Sequence, residues 1–357
     1  MHSAQTNKQG RNAFRPNKQA RAECIPPKQT SKGGTHSAKT NKQGRNAFRP
    51  NKQQARAERI PPKQTSKGGT HSAQTNKQGR NAFRPNKQIN MEDILKKIIA
   101  QTAQDLKARK KTTSLSELKD MSAYSREVIS LHQSLKKGSG IIAEHKRQSP
   151  SKGSFKCPMN LEEVVKGYEN AGASAISCLT DQPFFGGTLQ DLIDARAVLN
   201  IPILRKDFLI DVYQVHEAKA FGADAILLIA ACLNNEELKT MSLEAMNLGL
   251  EILFEVHDLE ELNRIKEVTD SFNIEKYIIG VNNRDLKRFQ TDIQNSKDLL
   301  PHFPEGVIAI SESGISNPEV VKELRTLGFE GFLIGENFMK TERPGASCEQ
   351  FIKAINS

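Results

Sequence analysis

Residues 91–357 are predicted to form a (β/α)8 TIM barrel, and three observations support this fold class. Eight short apolar runs alternate with segments whose apolar residues recur at helical spacing. The ends of these runs are separated by about 27 residues on average, which suits eight strand–helix units in roughly 250 residues. Polar and charged residues gather where the runs end, and the active site of such a barrel lies there.

Each of the eight runs reads as a buried parallel strand, because it is short, apolar and rich in branched residues. A doubly wound sheet would normally stop at five or six strands, so closure into a barrel is the better prediction. In order, the predicted strands 1 to 8 begin at Gly140, Ala173, Ile201, Ala223, Leu250, Lys276, Gly306 and Gly331.

The intervening segments have helix start and stop signals. The helix after Asn160 has an Asn N-cap with a Glu three residues later, and Gly172 is its stop signal. The helix after Asn317 has Pro at its first position. Residues 91–138 precede strand 1 and are predicted to form one or two extra helices that cap the mouth or the base of the barrel.

The first 90 residues have a different composition. Near-identical copies begin at His2, His36 and His71, and the segment contains 20 Lys and Arg against two Glu. Its net charge of +18 leaves −7 for residues 91–357, so all the basicity of the chain lies in this tail. The tail has no Leu, no Val, three Ile and three Phe. Too little apolar surface is available to offset the entropy of ordering the backbone, so we expect residues 1–90 to be disordered.

Three interpretations of this tail compete. Its cations and one Phe per repeat could bind RNA, and an Arg-rich leader could be a transit peptide, although transit peptides are not built of tandem copies. The interpretation we favour is a dispensable extension with Met91 as the natural start. No nucleic-acid partner is expected except through this tail.

The five cysteines are scattered, odd in number and without C-x-x-C spacing. This pattern favours a reducing, cytoplasmic compartment, with neither a disulfide framework nor a zinc site. No apolar run approaches the roughly 18 residues of a membrane span, so no membrane partner is expected. The histidines of the barrel lack ligand spacing, and we expect no metal.

Strand 1 begins with apolar residues that are typical of a buried strand. The charged residues at its end therefore need an explanation. Glu144 and Lys146 are two residues apart and therefore share a face, whereas His145 points toward the helical layer. Taken alone, the pair could be a salt bridge at a strand edge. Similar groups end other strands, and their convergence on one mouth predicts a shared site: Lys206, Glu255, Asn282, Arg284, Glu312 and Ser313.

Two turns that contain glycine indicate the chemical class of the ligand. Gly314 and Gly335 follow strands 7 and 8, whose loops form the usual phosphate site of this fold. Ser149 and Lys152 after strand 1 would lie nearby. The substrate is therefore predicted to be a small phosphorylated molecule. His257 is two residues after Glu255 and is expected on the same face of the strand, so it is a weaker candidate for a residue that lines the mouth of the barrel.

Two Lys and two Glu around one pocket suit acid–base work on a carbonyl compound. A desolvated Lys crowded by other cations is expected to have a lowered pKa, and a Glu against apolar walls is expected to retain a proton. A Schiff base on a Lys is the alternative chemistry for the same residue types. The residues alone leave both open.

The segments "IIAEHKRQSPSKG", "LRKDF", "FEVHD", "GVNNRDL", "SESGI" and "FLIGENFM" together resemble the indole-3-glycerol phosphate synthase family of tryptophan biosynthesis. The resemblance covers residues 91–357, including the helices before strand 1. It implies a cytoplasmic carboxy-lyase that converts 1-(2-carboxyphenylamino)-1-deoxyribulose 5-phosphate into indole-3-glycerol phosphate, CO2 and water, without a cofactor.

The same resemblance implies roles for matching residues. Lys206 would protonate the substrate carbonyl, Lys146 would bind anionic groups and assist proton transfer, and Glu144 would orient Lys146. Glu255 would manage the protons of the dehydration. The remaining expected site residues position or bind the substrate: Asn282 and Ser313 for the amine and hydroxyls, Ser149, Gly314 and Gly335 for the phosphate, Phe185 and Phe208 for the aromatic ring, and Arg284, Leu227 and Glu336 in the wider binding set.

Two rival functions remain at this point. Another phosphate-binding barrel such as phosphoribosylanthranilate isomerase shares loops 7 and 8, but is not expected to contain the E-x-K, RKDF and NNRDL segments together. A nucleic-acid-binding protein would use the repeats and keep the barrel as a scaffold. The oligomeric state has no signature, and a monomer is the default expectation.

Overall fold

The structure is a computed structural model that describes residues 91–284 and 290–357, with side chains from residue 94 onward. The expectation of a disordered tail over residues 1–90 lies outside the described residues.

Eight parallel strands close into a barrel, as the sequence predicts. Neighbours along the chain are neighbours in the barrel, and β1 also pairs with β8 through Ile142 and Leu333. A small antiparallel hairpin, Gln148–Ser149 with Gly153–Ser154, lies in the loop after β1. The barrel strands are β1 (Ile141–His145), β2 (Ala175–Leu179), β3 (Ile203–Lys206), β4 (Ala225–Ile229), β5 (Glu251–Val256), β6 (Tyr277–Asn282), β7 (Ala309–Glu312) and β8 (Gly331–Ile334).

Helices surround the strands and precede them. Three short 3-10 helices, Ala230–Cys232, Ile274–Lys276 and Leu300–His302, lie among them. The α-helices are α1 (Met91–Thr112), α2 (Leu115–Asp120), α3 (Leu131–Lys137), α4 (Leu161–Asn170), α5 (Gln182–Phe185), α6 (Leu189–Val198), α7 (Val212–Ala220), α8 (Asn235–Asn247), α9 (Leu259–Thr269), α10 (Gln294–Leu299), α11 (Pro318–Leu327), α12 (Glu336–Met339) and α13 (Pro344–Asn356).

Two of the predicted helix starts are confirmed. Asn160 caps α4, its side chain accepts the Glu163 N–H at 2.8 Å, and the Glu163 side chain accepts the Asn160 N–H in return. The Asn317 side chain accepts the Glu319 N–H at the start of α11, and Pro318 is the first residue of that helix. These caps satisfy N–H groups that a helix start leaves without partners.

Strand periodicity divides the core into two layers. In β1, Ile142 joins an inner cluster that fills the barrel, while Ile141 and Ala143 join the outer cluster between strands and helices. Because Ile142 faces inward, Glu144 two residues later also faces the barrel axis. Alternation along one strand thus brings a carboxylate to the mouth.

The segment before β1 contains three helices, rather than the one or two expected, and they reach both ends of the barrel. Ile94, Leu95 and Ile98 of α1 line the cavity at the mouth. Leu131 and Leu135 of α3 belong to the inner cluster and close the opposite end. The alternatives of capping the mouth or the base are therefore both realised, by different helices.

Asp224, which precedes β4, anchors this segment to the barrel. Its fully buried carboxylate accepts hydrogen bonds from the Arg126 and Arg196 guanidinium groups at 2.7 and 2.8 Å. It also accepts the N–H groups of Ile129 and Ile203 at 2.7 and 2.8 Å. A buried charge that is paired and hydrogen-bonded in this way avoids the penalty of an unpaired one.

Across residues 91–284 and 290–357, none of the helices has the length and apolar character needed to cross a bilayer.

Candidate active site

A cavity of about 440 Å³ opens at the carboxyl ends of the strands, which is the size expected for a small-molecule site. All fourteen site residues implied by the family resemblance line it. They are Glu144, Lys146, Ser149, Phe185, Lys206, Phe208, Leu227, Glu255, Asn282, Arg284, Ser313, Gly314, Gly335 and Glu336.

Glu144 and Lys146 form an ion pair on one face, as strand parity predicts. The Lys146 Nζ lies 2.6 Å from Glu144 Oε1. Burial alone would raise the pKa of Glu144, but the ammonium groups of Lys146 and Lys206 outweigh it and lower that pKa. His145 is buried on the other face, and burial lowers its pKa to about 4. Glu144 is therefore a carboxylate that orients Lys146.

Gly335 allows Glu144 to occupy this position. A Cβ atom at residue 335 would lie 2.2 Å from Glu144 Oε1 and 2.9 Å from its Cβ. The φ angle of −122° is open to other residues, so close approach is the reason that glycine is needed here. The glycine after β8 thus shapes the part of the cavity around Glu144 as well as the expected phosphate turn.

Lys206 ends β3 at the floor of the cavity between two carboxylates. Its Nζ lies 3.1 Å from Glu255 Oε2 and 3.2 Å from Glu312 Oε2. Burial alone would lower the pKa of Lys206, but Glu255, Glu312 and Glu144 outweigh it and raise that pKa. The expectation of a cation-crowded lysine with a lowered pKa is wrong for Lys206, because its neighbours are anions. The side chain is held as an ammonium ion.

Glu312 is one of the strand-end residues predicted to converge on the mouth, but the family resemblance assigns it no role. It is buried, it contacts Lys206, and its Oε1 has no hydrogen-bond partner. Burial, reinforced by the negative charge of Glu255, raises its pKa to about 7 against the opposing effect of Lys206. The alternation of side chains along the strand identifies it. Ile308 and Ile310 point into the barrel, so Glu312, two residues after Ile310, points inward as well.

Glu255 has a polar partner on each oxygen. Oε2 accepts from Lys206, and Oε1 accepts from the Asn282 Nδ2 at 3.0 Å. Burial alone would raise the pKa of Glu255, but Lys206 and His257 outweigh it and lower that pKa. Glu255 is thus an ionised acceptor beside a lysine. The weaker candidate His257 does line the mouth, with Nε2 3.4 Å from Glu255 Oε1.

The turn after β7 has two successive residues in the left-handed region. Ser313 has a φ of 67°, the one positive value among the described non-glycine residues, and Gly314 has a φ of 76°. The Ser313 carbonyl accepts from Asn283 Nδ2 at 3.2 Å. A Cβ at residue 314 would lie 2.4 Å from Thr291 Cγ2. A strained serine of this kind persists where its surroundings hold it, and such residues cluster at functional sites.

The aromatic wall comes from helix α5 and from the loop after β3. The rings of Phe185 and Phe208 lie 6.1 Å apart at an interplanar angle of 33°. Phe208 is fixed through its backbone: its N–H donates to Asp207 Oδ1 at 2.8 Å, and its carbonyl accepts from Gln214 Nε2 at 3.1 Å. Leu227 of β4 contributes an apolar side chain from the barrel interior. This wall suits an aromatic ligand.

The opposite rim is polar. The Lys152 Nζ lies 3.5 Å from Glu336 Oε1, and Arg284 donates to Ser151 Oγ at 3.0 Å. The Ser149 Oγ accepts the Lys152 N–H at 3.2 Å. These contacts place Lys152 beside the turn after β8 and Arg284 beside the loop after β1, at the same cavity.

Among the residues that the structure describes, no group of three or more His, Cys, Asp or Glu side chains could hold a metal ion. In the cavity itself, the carboxylates of Glu144, Glu255 and Glu312 are each in contact with a lysine.

Comparisons with known proteins identify the family. The family model for indole-3-glycerol phosphate synthase matches residues 95–352. The indole-3-glycerol phosphate synthase of Bacteroides thetaiotaomicron is 48% identical over 266 residues, which cover 74% of this chain and 100% of that protein. The synthase of Neisseria meningitidis serogroup B is 39% identical over 257 residues, covering 71% and 96%.

Among solved structures, a thiamine phosphate pyrophosphorylase from Pyrococcus furiosus aligns with a TM-score of 0.46 at 16% identity, over 63% of this chain and 98% of that chain. The family match spans all eight barrel strands and all fourteen of the expected site residues that line the cavity. The chain belongs to the indole-3-glycerol phosphate synthase family of lyases.

Proposed function

We propose that this chain converts 1-(2-carboxyphenylamino)-1-deoxyribulose 5-phosphate into indole-3-glycerol phosphate, CO2 and water, a step of tryptophan biosynthesis. One observation supports this most directly. The Lys206 ammonium lies between Glu255 and Glu312 on the floor of a cavity that has an aromatic wall and a cationic rim. The substrate has an aromatic ring, a ketone and a phosphate, and each meets a matching part of this cavity.

The phosphate binds at the turns after β7 and β8. Gly314 and Gly335 expose backbone at the cavity surface, and Ser149 offers a hydroxyl. Lys152 and Arg284 supply positive charge to this rim. A Glu336 carboxylate would repel a phosphate directly, so its contribution is to hold Lys152 in place through their ion pair.

The anthranilate ring packs against Phe185 and Phe208, with Leu227 beneath it, and apolar burial stabilises the complex. Its carboxylate is attracted to Lys146, which Glu144 holds in place at 2.6 Å. Asn282 and Ser313 position the amine and the hydroxyl groups of the sugar. With both ends of the substrate fixed, the aromatic carbon is held near the ketone that it attacks.

The first chemical step forms the carbon–carbon bond. As the aromatic carbon attacks the ketone, Lys206 donates a proton from Nζ to the carbonyl oxygen, which becomes a hydroxyl group. The raised pKa of Lys206 keeps Nζ protonated for this step. It also disfavours the Schiff-base alternative, since an ammonium nitrogen has no lone pair for attack on a carbonyl.

Decarboxylation and dehydration follow. Loss of CO2 returns the electron pair of the broken bond to the ring system. Lys206, once its ammonium ion is restored, protonates the departing hydroxyl group with Lys146 assisting, and a carboxylate beside Lys206 removes from carbon the proton whose loss makes the new ring aromatic. Glu255 is the acceptor of this proton, because its lowered pKa keeps it ionised.

The test is turnover of this substrate by the full chain, followed by the indole fluorescence of the product. The chain contains no Trp, so it contributes little competing signal. We expect formation of indole-3-glycerol phosphate with one CO2 released per product. An absence of product at saturating substrate would overturn the proposal, and turnover of phosphoribosylanthranilate instead would reassign the barrel.

We further propose that the chain acts as a monomer in the cytoplasm. Scattered free thiols support a reducing compartment, and Cys157, Cys178, Cys232 and Cys348 form no disulfide with one another. In the described part of the chain, the exposed large apolar side chains lie on five different helices: Leu115, Ile193, Leu243, Leu259 and Leu327. Light scattering after size-exclusion chromatography would contradict the monomer by giving twice the chain mass.

A further inference from the structure

The proposed reaction consumes one proton per turnover, and this inference rests on that proposed function. The carbonyl oxygen and the departing hydroxyl group each receive a proton, and one proton is removed from carbon. The net uptake is one proton, because the substrate carboxylate, an anion, leaves as neutral CO2. The buried groups on the cavity floor must therefore regain one proton from solvent in every cycle.

His257 lies beside these groups without an assigned role. It follows β5 and shares the inward parity of Glu255. Its Nε2 lies 3.4 Å from Glu255 Oε1 and has no hydrogen-bond partner, although it is buried. A buried polar atom without a partner needs an explanation, and one pointing at a catalytic carboxylate suggests a functional one.

The contact made by Nδ1 determines which ring nitrogen of the neutral His257 carries the proton. Nδ1 lies 3.1 Å from Glu261 Oε2, and the same carboxylate accepts the His257 backbone N–H at 2.7 Å. A carboxylate only accepts hydrogen bonds, so Nδ1 carries a proton. In the neutral ring, Nε2 would then present a lone pair to the Glu255 carboxylate. In the imidazolium form, Nε2–H points at Glu255 as a donor.

We propose that His257 delivers to Glu255 the proton that each turnover takes from solvent. The Nε2–H bond breaks and a bond from hydrogen to Glu255 Oε1 forms. After ring closure has left Lys206 neutral, the Glu255 carboxyl group turns and passes this same proton to Lys206 Nζ, which lies 3.1 Å from Oε2, and the restored ammonium ion protonates the departing hydroxyl group. The proton that Glu255 later takes from carbon returns to Lys206, so both groups end the cycle in their starting forms. The neutral ring keeps its proton on Nδ1, which still donates a hydrogen bond to Glu261. After the products leave, water that enters the cavity lined by His257 returns the proton to Nε2.

The surrounding charges favour an imidazolium at this position. Glu255 and Glu312 face the ring from β5 and β7, and Glu261 faces it from α9. Lys206 lies beyond Glu255, and the Cys232 thiol faces the same two carboxylates, Glu255 and Glu261. Burial alone would lower the pKa of His257, but the hydrogen bond to Glu261 and the charge of Glu255 outweigh it and raise that pKa.

His257→Asn in the full chain tests the proposal. The Asn Nδ2 can replace Nδ1 as the donor to Glu261, while no group replaces Nε2. We expect kcat to fall by about 100-fold, the lower range for a placed acid, with KM within threefold of the parent. Added imidazole should restore kcat in proportion to its protonated fraction, because a free imidazolium can occupy the vacated space.

His216→Asn is the matched control. His216 is also buried, but it hydrogen-bonds Tyr124 and lies outside the cavity, so its loss should leave kcat unchanged and unresponsive to imidazole. A kcat for His257→Asn within twofold of the parent, or a loss that imidazole does not restore, would overturn the relay while leaving the function intact. Absence of turnover by the parent chain would overturn both.

Glu261→Gln provides a second readout that does not depend on the histidine variant folding. The amide oxygen still accepts from Nδ1, but the negative charge that stabilises the imidazolium is gone. The pKa of His257 should fall. The alkaline limb of the kcat–pH profile, where the imidazolium is lost, should therefore begin about one pH unit lower than in the parent. An unshifted profile with normal kcat would contradict the proposal.

Discussion

Lys206 and Glu312 meet at the floor of the barrel, with Nζ 3.2 Å from Oε2, although they lie more than one hundred residues apart in the chain. The contact holds a lysine as an ammonium ion while its carboxyl partner has a pKa of about 7. Two adjacent groups that titrate so differently are typical of acid–base catalysis. This pairing explains why strands 3 and 7 both end in charge.

Replacing Lys206 with Ala should remove the acid that protonates the ketone. We expect kcat to fall by about 10²- to 10⁴-fold while the fold is retained, since the cavity floor borders solvent. Steady-state kinetics and circular dichroism measure both effects. Lys266→Ala, a change at an exposed lysine of α9, is the control and should behave as the parent. Near-normal turnover by Lys206→Ala would refute the assigned role.

Replacing Glu312 with Gln should make stability less sensitive to pH. The pKa of Glu312 is raised from 4.5 to about 7, so between these values the unfolded chain has released this proton and the folded chain has not. Folding of the parent therefore loses stability as pH rises from 4.5 to 7. The stability of Glu312→Gln relative to the parent should increase by on the order of 3 kcal/mol between pH 4.5 and 8.

Urea unfolding of the parent and of Glu312→Gln at pH 4.5, 6 and 8 measures this difference. A constant difference across the three pH values would show that the carboxyl group of Glu312 ionises alike in both states.

Gly335→Ala should disturb catalysis more than folding. Its Cβ would lie 2.2 Å from Glu144 Oε1, so Glu144 must turn away and release Lys146. We expect kcat/KM to fall at least tenfold, with a stability loss of about 1–3 kcal/mol from overpacking. Gly249→Ala is the matched control, because its Cβ meets nothing within 4 Å and its φ of 77° gives strain alone. Equal activities of the two variants would contradict the argument.

Phe185→Ala should weaken substrate binding with a smaller effect on chemistry. The ring lies against Phe208 on the aromatic wall, and burying an aromatic side chain contributes about 1.5–3 kcal/mol. We expect KM to rise by about tenfold or more. Its neighbour Phe184 does not line the cavity, so Phe184→Ala is the control for KM. A larger effect from Phe184→Ala would place the aromatic ring of the substrate elsewhere.

Local patterns were sufficient for much of this protein. Apolar runs placed all eight strands, and the caps at Asn160 and Asn317 placed two helices, because these signals depend on neighbouring residues. Parity in β1 correctly set Glu144 and Lys146 on one face, with His145 on the other.

The sequence by itself determined the barrel, the strand ends that converge, and the family, because periodicity and motif order are properties of the chain. Only the tertiary structure decided the charge states. The residue types alone leave open which charges surround Lys206. Strands distant in sequence bring it Glu255 and Glu312, and a pKa depends on such neighbours and on burial. Closure of the barrel likewise aligned His257 with Glu255, because side chains meet across space in ways that spacing along the chain does not specify.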